Sequence, residues 1–123
     1  MKTLFTLLFA AMLATATSIA ADGPVRHVVS FKFKKDADPA AIAKVEKDFA
    51  ALEVQIPFVE TLEFGKNISK EGHDKGFTHI WIATFKNEAD RDAYLVHPAH
   101  KAFVATLEAV MEDAFVVDFI PTK

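Results

Sequence analysis

The stretch Phe77-Thr78-His79-Ile80-Trp81-Ile82-Ala83-Thr84-Phe85 constrains the rest of the chain more than any other. It is rich in aromatic and β-branched residues and reads as a β-strand. It has no polar face. Phe77, Trp81 and Phe85 fall on one side, and Ile80 and Ile82 on the other. A strand that is apolar on both sides needs cover on both sides. Helices of the same chain supply one cover. The other needs a further layer, and a second copy of the same sheet is the simplest source.

The flanking sequence supplies the helices and the remaining strands. Val25 to Lys34 alternates, with Val25, His27, Val29, Phe31 and Phe33 on one face, and predicts a first strand. Asp38-Pro39 is a helix start, an N-cap followed by proline at the first helical position. Ile42, Val45, Phe49 and Leu52 then recur at helical spacing until Gln55-Ile56-Pro57. Phe58 to Gly65 alternates again as a second strand, and the polar run Lys66–Gly76 reads as an exposed connection. After the third strand, Asn87 caps a helix with acids in its first turn, which ends near Val96. Phe103, Leu107, Val110 and Met111 mark a longer amphipathic helix from Pro98, and Phe115–Ile120 a last strand stopped by Pro121. The order β-α-β-β-α-α-β predicts an α+β, ferredoxin-like subunit with a four-stranded antiparallel sheet in the order 4-1-3-2. Strands 1 and 3 are then neighbours.

With 123 residues the chain holds one domain, taken as residues 25–120. The first 20 residues read differently. Met1-Lys2-Thr3 gives a short positive start, Leu4–Ala16 is apolar apart from threonine, and Ser18-Ile19-Ala20 places small residues where a signal peptidase reads. Cleavage is expected after Ala20, with Ala21 as second choice. The apolar run is shorter than the roughly 20 residues of a spanning helix. No cysteine follows, so a lipid anchor, disulfides and thiolate chemistry are all excluded. The expectation is an exported protein, periplasmic or secreted, with no membrane association after cleavage. Fourteen basic against 17 acidic residues give a net charge of -3, which argues against nucleic acid or anionic lipid as partner. Twelve phenylalanines are more than one small core hides, so a homodimer or an apolar pocket is expected.

The chemistry concentrates at Tyr94-Leu95-Val96-His97-Pro98-Ala99-His100. Proline disfavours the α conformation at His97 and suits a first helical turn, so this is a kinked joint between two helices. If strands 1 and 3 are adjacent, His27 and His79 lie on the helix-covered face beside this joint. His27, His79, Tyr94 and His100 could then share one apolar cavity, with Phe31 and Trp81 in its wall. Imidazole suits proton transfer near neutral pH, and a phenol can donate to a carbonyl or enolate oxygen. Plainer readings compete. Each strand histidine could be a satisfied structural group, Tyr94 a buried aromatic, and His97 a ring that caps the following helix. The phenylalanines are core or dimer contact, Lys32 and Lys34 are solvated, and His73 carries no assignment. His97-x-x-His100 also has the spacing of a metal pair, but Pro98 kinks it and no carboxylate is placed behind it. No metal or cofactor is expected, and a haem pocket with one axial histidine ranks lower still.

The mature sequence resembles the stress-responsive dimeric α/β barrel (Dabb) family. The resemblance runs from Arg26 to about Ile120 and rests on His27-Val28-Val29-Ser30-Phe31-Lys32-Phe33-Lys34, Ile56-Pro57, Gly65-Lys66-Asn67, Gly76-Phe77-Thr78-His79, Thr84-Phe85, the Tyr94–His100 stretch and Val117-Asp118-Phe119. It implies a ferredoxin-like subunit whose sheets pair into a homodimeric barrel. Plant polyketide cyclases of the family close a linear poly-β-keto thioester by aldol condensation. The resemblance places their catalytic tyrosine and histidine on Tyr94 and His100, and their pocket histidines on His27 and His79. It implies cofactor-free chemistry, with His100 abstracting a proton alpha to a carbonyl while Tyr94 holds or polarises the substrate. An exported chain does not ordinarily meet coenzyme A thioesters, which points to another small carbonyl or aromatic compound. A non-catalytic, stress-related ligand carrier or structural dimer is the alternative, and monooxygenase-like action on a quinone or haem the third.

Overall fold

The computed structural model describes residues 23–123, so the leader reading of residues 1–20 lies outside the described residues. Seven elements follow in the expected order: β1 (Val25–Phe33), α1 (Pro39–Gln55), β2 (Val59–Lys66), β3 (His79–Phe85), α2 (Glu88–Leu95), α3 (Pro98–Leu107) and β4 (Met111–Phe119). The strands form one antiparallel sheet, β2-β3-β1-β4, with β1 and β3 adjacent as expected. Val29 pairs with Trp81 on one side and with Val116 on the other, so one face of the sheet can be traced across three strands.

Local chemistry explains where the helices begin. Asp38 Oδ1 accepts from the Ala40 amide at 2.9 Å ahead of Pro39. Asn87 Oδ1 accepts from the Asp90 amide at 2.8 Å, with Glu88 and Asp90 in the first turn of α2. At α3 the cap is His97, whose backbone is extended and whose Nδ1 accepts from the Ala99 amide at 3.1 Å. An extended residue before Pro98 is what proline sterics demand. The buried residues of α1 are Val45, Phe49 and Leu52, one stripe at helical spacing. They meet Val29, Phe31, Trp81 and Phe85 of the sheet and Phe103 and Leu107 of α3 in a single core.

Two expectations are corrected. Phe77 does not share a face with Trp81. The third strand begins only at His79, after a connection in which Gly72, Lys75 and Gly76 all have positive φ. Strand alternation therefore does not extend back to Phe77, whose ring meets Phe115 on the opposite side of the sheet. The second correction concerns α3, which ends at Leu107, while β4 starts at Met111 rather than Phe115. The Val110 amide turns back to the Leu107 carbonyl and Met111 pairs with Phe33 across a bulge. Val110 and Met111 still pack on the core, but from a turn and a strand, which is why their spacing mimicked a longer helix.

The two faces of the sheet differ sharply. The helices cover the face of His27, Val29, Phe31, Trp81 and Phe85. The other face carries Val28, Ile80, Ile82, Phe115, Val117 and Phe119 without a cover among the described residues; Phe115 is 57 % and Phe119 48 % exposed. That is the unmatched layer anticipated from the third strand.

Candidate functional site

Between the covered face, α2 and α3 lies a cavity of about 250 Å³. Its walls are hydrocarbon: Val29, Phe31, Phe49, Phe103, Leu107 and Met111 inside, with Leu95, Val104 and Val116 beside them. Those last three are substantially exposed, so they form its mouth. An apolar cavity of about 150 Å³ already takes benzene, so this one has room for a ring with a substituent.

Polar groups enter the cavity from three side chains only among its lining residues: His27, Tyr94 and His100. Each is delivered by a different element. His27 comes from β1, Tyr94 from the last turn of α2, and His100 from the first turn of α3. The rings of Tyr94 and His100 are 4.5 Å apart, and those of Tyr94 and His27 5.9 Å apart. The kinked joint is what makes this possible. Pro98 turns the chain so that His100 Nδ1 reaches back to the Leu95 carbonyl at 3.1 Å.

The hydrogen bonds assign the ring nitrogens. A carbonyl can only accept, so Nδ1 of His100 donates and Nε2 of the neutral ring is left as an acceptor. His27 Nδ1 lies 2.6 Å from Asp118 Oδ1, a short charge-assisted bond that again leaves Nε2 bare. Arg91 Nη1 donates to the other oxygen, Asp118 Oδ2, at 2.7 Å. Burial lowers the pKa of His100, the Leu95 bond partly offsets this, and nearby His27 lowers it further. His100 is therefore a neutral base at neutral pH. Burial pushes the Tyr94 phenol well above its ordinary range, so it stays a donor. Burial alone causes that shift, with no hydrogen bond to the hydroxyl from the described residues contributing to it. The Tyr94 hydroxyl and the free Nε2 atoms of His27 and His100 thus share an apolar chamber, an arrangement suited to moving a proton to or from a carbonyl compound.

Not every expected residue is there. Phe31 lines the cavity, but His79 and Trp81 do not, and the expectation that they do is corrected. His79 sits farther along the same sheet face with both nitrogens occupied, Nε2 by Glu46 Oε1 at 2.9 Å and Nδ1 by Thr78 Oγ1 at 2.7 Å. Trp81 is stacked between Phe49, 4.6 Å away, and Phe64, 4.7 Å away. The aromatic side chains of Phe31 and Phe49 fill the space that would have joined the two histidines. His97 is spent on its cap and His100 turns to Leu95, so the two do not present a metal pair. No group of three metal-ligating side chains occurs among the described residues. Nothing in the local sequence marks Asp118 or Arg91 as site residues. A lone acid in a terminal strand gives no signal until β4 is paired with β1, which sets it opposite His27.

The chain matches the stress responsive A/B barrel domain over residues 25–121. It is 33 % identical over 103 residues to the stress-response A/B barrel domain-containing protein HS1 of Arabidopsis thaliana, covering 84 % of this chain and 94 % of that protein. It is 28 % identical over 99 residues to the olivetolic acid cyclase of Cannabis sativa, covering 80 % of this chain and 98 % of the cyclase. Among solved structures, a dimeric protein of unknown function with a ferredoxin-like fold from Bacteroides fragilis superposes with a TM-score of 0.65 at 26 % identity, covering 80 % of this chain and 97 % of that one.

Proposed function

The chain belongs to the stress-responsive A/B barrel domain family, and from that premise we propose that it is an exported homodimer whose cavity binds a small carbonyl or aromatic compound and acts on it by cofactor-free acid–base chemistry. One observation carries this reading: Tyr94, His27 and His100 bring unpaired polar atoms into an otherwise hydrocarbon chamber. These atoms open onto the cavity rather than being sealed in protein, so a ligand oxygen can accept from the Tyr94 hydroxyl. With a ketone bound, the Tyr94 hydroxyl donates to the carbonyl oxygen. His100 Nε2, uncharged at neutral pH, takes a proton from the adjacent carbon. The resulting enolate keeps its hydrogen bond to Tyr94. The similarity to a cyclase supports carbonyl chemistry without specifying the substrate.

The uncovered sheet face supports the dimer, as does the dimeric relative from Bacteroides fragilis. A monomer in sedimentation at micromolar concentration would contradict it. Export rests on the leader sequence, and an exported protein that retains Met1 by mass spectrometry would exclude cleavage. No helix among the described residues is long and apolar enough to cross a membrane.

The functional test is a screen of aryl ketones and aldehydes against the wild type and His100→Ala. Turnover lost in the variant supports catalysis. Binding without turnover in the wild type leaves a carrier, and no binding by either protein rejects the pocket as a ligand site.

A further inference from the structure

Helix α2 does more at the cavity than present Tyr94. One turn before it, on the same side of the helix, stands Arg91. Arg91 and Asp118 line a surface cleft together with Val25 and Glu88, outside the cavity. The Asp118 carboxylate spans the wall between the two spaces: Oδ2 accepts from Arg91 Nη1 at 2.7 Å, and Oδ1 meets His27 Nδ1 at 2.6 Å. The guanidinium is itself fixed, donating from Nε to Asp92 Oδ1 at 2.9 Å and lying 3.8 Å from Glu88 Oε1. A carboxylate bonded on only one oxygen can swing about its Cβ–Cγ bond, and its partner imidazole can flip with it. One bonded on both oxygens by cations or N–H donors is held in plane and kept ionised.

We propose that Arg91 is a positioning residue: by holding Asp118 it locks His27 into the ring orientation and tautomer that present a bare Nε2 to the cavity. The value of that lock for ligand handling rests on the pocket reading above, whereas the effect on His27 does not. On this account α2 orients all three polar groups of the cavity. It carries Tyr94, fixes His27 through Arg91 and Asp118, and fixes His100 through the Leu95 carbonyl.

Long-range proton–nitrogen spectra of the uniformly ¹⁵N-labelled chain read the tautomer of each histidine directly. In the wild type, neutral His27 is expected almost wholly as the Nδ1–H form. In Arg91→Met that form falls to about half of the neutral ring, and Arg91→Lys restores most of it. His100, held by a backbone carbonyl, keeps its tautomer in both variants and serves as the internal control. Acetophenone, titrated as probe, binds Arg91→Met at least about threefold more weakly than wild type, with recovery in Arg91→Lys. Should Arg91→Met not fold, Arg91→Gln is read by the same criterion. A folded variant whose His27 tautomer is unchanged overturns the proposal. A tautomer that shifts as stated in a protein that binds no acetophenone upholds the role of Arg91 and rejects the ketone pocket instead.

Discussion

His27 and His79 lie on the same face of the sheet, on neighbouring strands, at nearly the same burial of 5 % and 7 % exposed. Both are surrounded by aromatic rings, and either could be taken for an active-site group. They differ in what their nitrogens do. His79 is closed, with Thr78 on one side and Glu46 of α1 on the other. His27 is bonded at Nδ1 only and opens onto the cavity with Tyr94 and His100. Burial therefore does not separate a closed histidine from one that opens onto the cavity. The number of ring nitrogens left unsatisfied does.

The contrast can be broken by substitution. The largest effect is expected at the closed end. His79→Ala removes an imidazole packed against Phe33 and Trp81 and leaves Glu46 only its longer ion pair with Lys66 at 3.9 Å, so stability falls by about 2–3 kcal/mol. Acetophenone affinity in that variant stays within about twofold of wild type, because no lining residue is touched. Chemical denaturation and calorimetric titration give the two numbers. His27→Phe inverts the pattern. The ring is replaced in shape and Asp118 keeps Arg91, so stability falls by only about 1 kcal/mol, while affinity drops roughly tenfold. If the two variants behave alike in both measurements, the distinction between the ends of the sheet face is lost.

Smaller effects should appear with pH. The pKa of His100 is lowered from its ordinary 6.5 by burial first of all, so between the folded and unfolded values the unfolded chain holds a proton that the folded chain refuses. Stability from this group is present above about pH 6.5 and is lost as pH falls through the folded value. The Tyr94 phenol, raised by burial from its ordinary 10.0, works in the opposite direction: the unfolded chain ionises first, and stability is lost as pH rises above that value. His100→Gln should flatten the acid side of the stability profile and leave the alkaline side unchanged. An acid limb of the same slope in that variant would assign it to another group.

Much of this was legible in the sequence, for identifiable reasons. Alternation and helical spacing place the strands and helices because each element has one side to bury, and the Asp38, Asn87 and His97 caps mark the helix starts by their own chemistry. The third strand announced the uncovered sheet face. Phe77 was misplaced because alternation holds only within a strand, and positive φ in the preceding connection breaks it. Met111 was misplaced because a turn residue and a strand residue can imitate one more helical turn. At the site, residue types identified Tyr94, His100, His27 and Phe31, but adjacency of strands says nothing about which way along a face a cavity opens. That depends on how the rings of Phe31, Phe49 and Trp81 divide the space, and His79 fell on the filled side. Arg91 and Asp118 depend on a pairing between chain ends 91 residues apart for His27 and Asp118, which no local pattern carries.

The central claim is that the unpaired Tyr94 hydroxyl waits for a ligand oxygen. Acetophenone and ethylbenzene share a shape and differ in the carbonyl, so calorimetric titration of both into wild type and Tyr94→Phe isolates that one bond. Wild type is expected to bind acetophenone about three- to tenfold more tightly than ethylbenzene, the worth of one hydrogen bond. Tyr94→Phe, as stable as wild type, should lose that preference while its ethylbenzene affinity is unchanged. Equal affinity of wild type for the two compounds, or a preference that survives in Tyr94→Phe, would contradict the account.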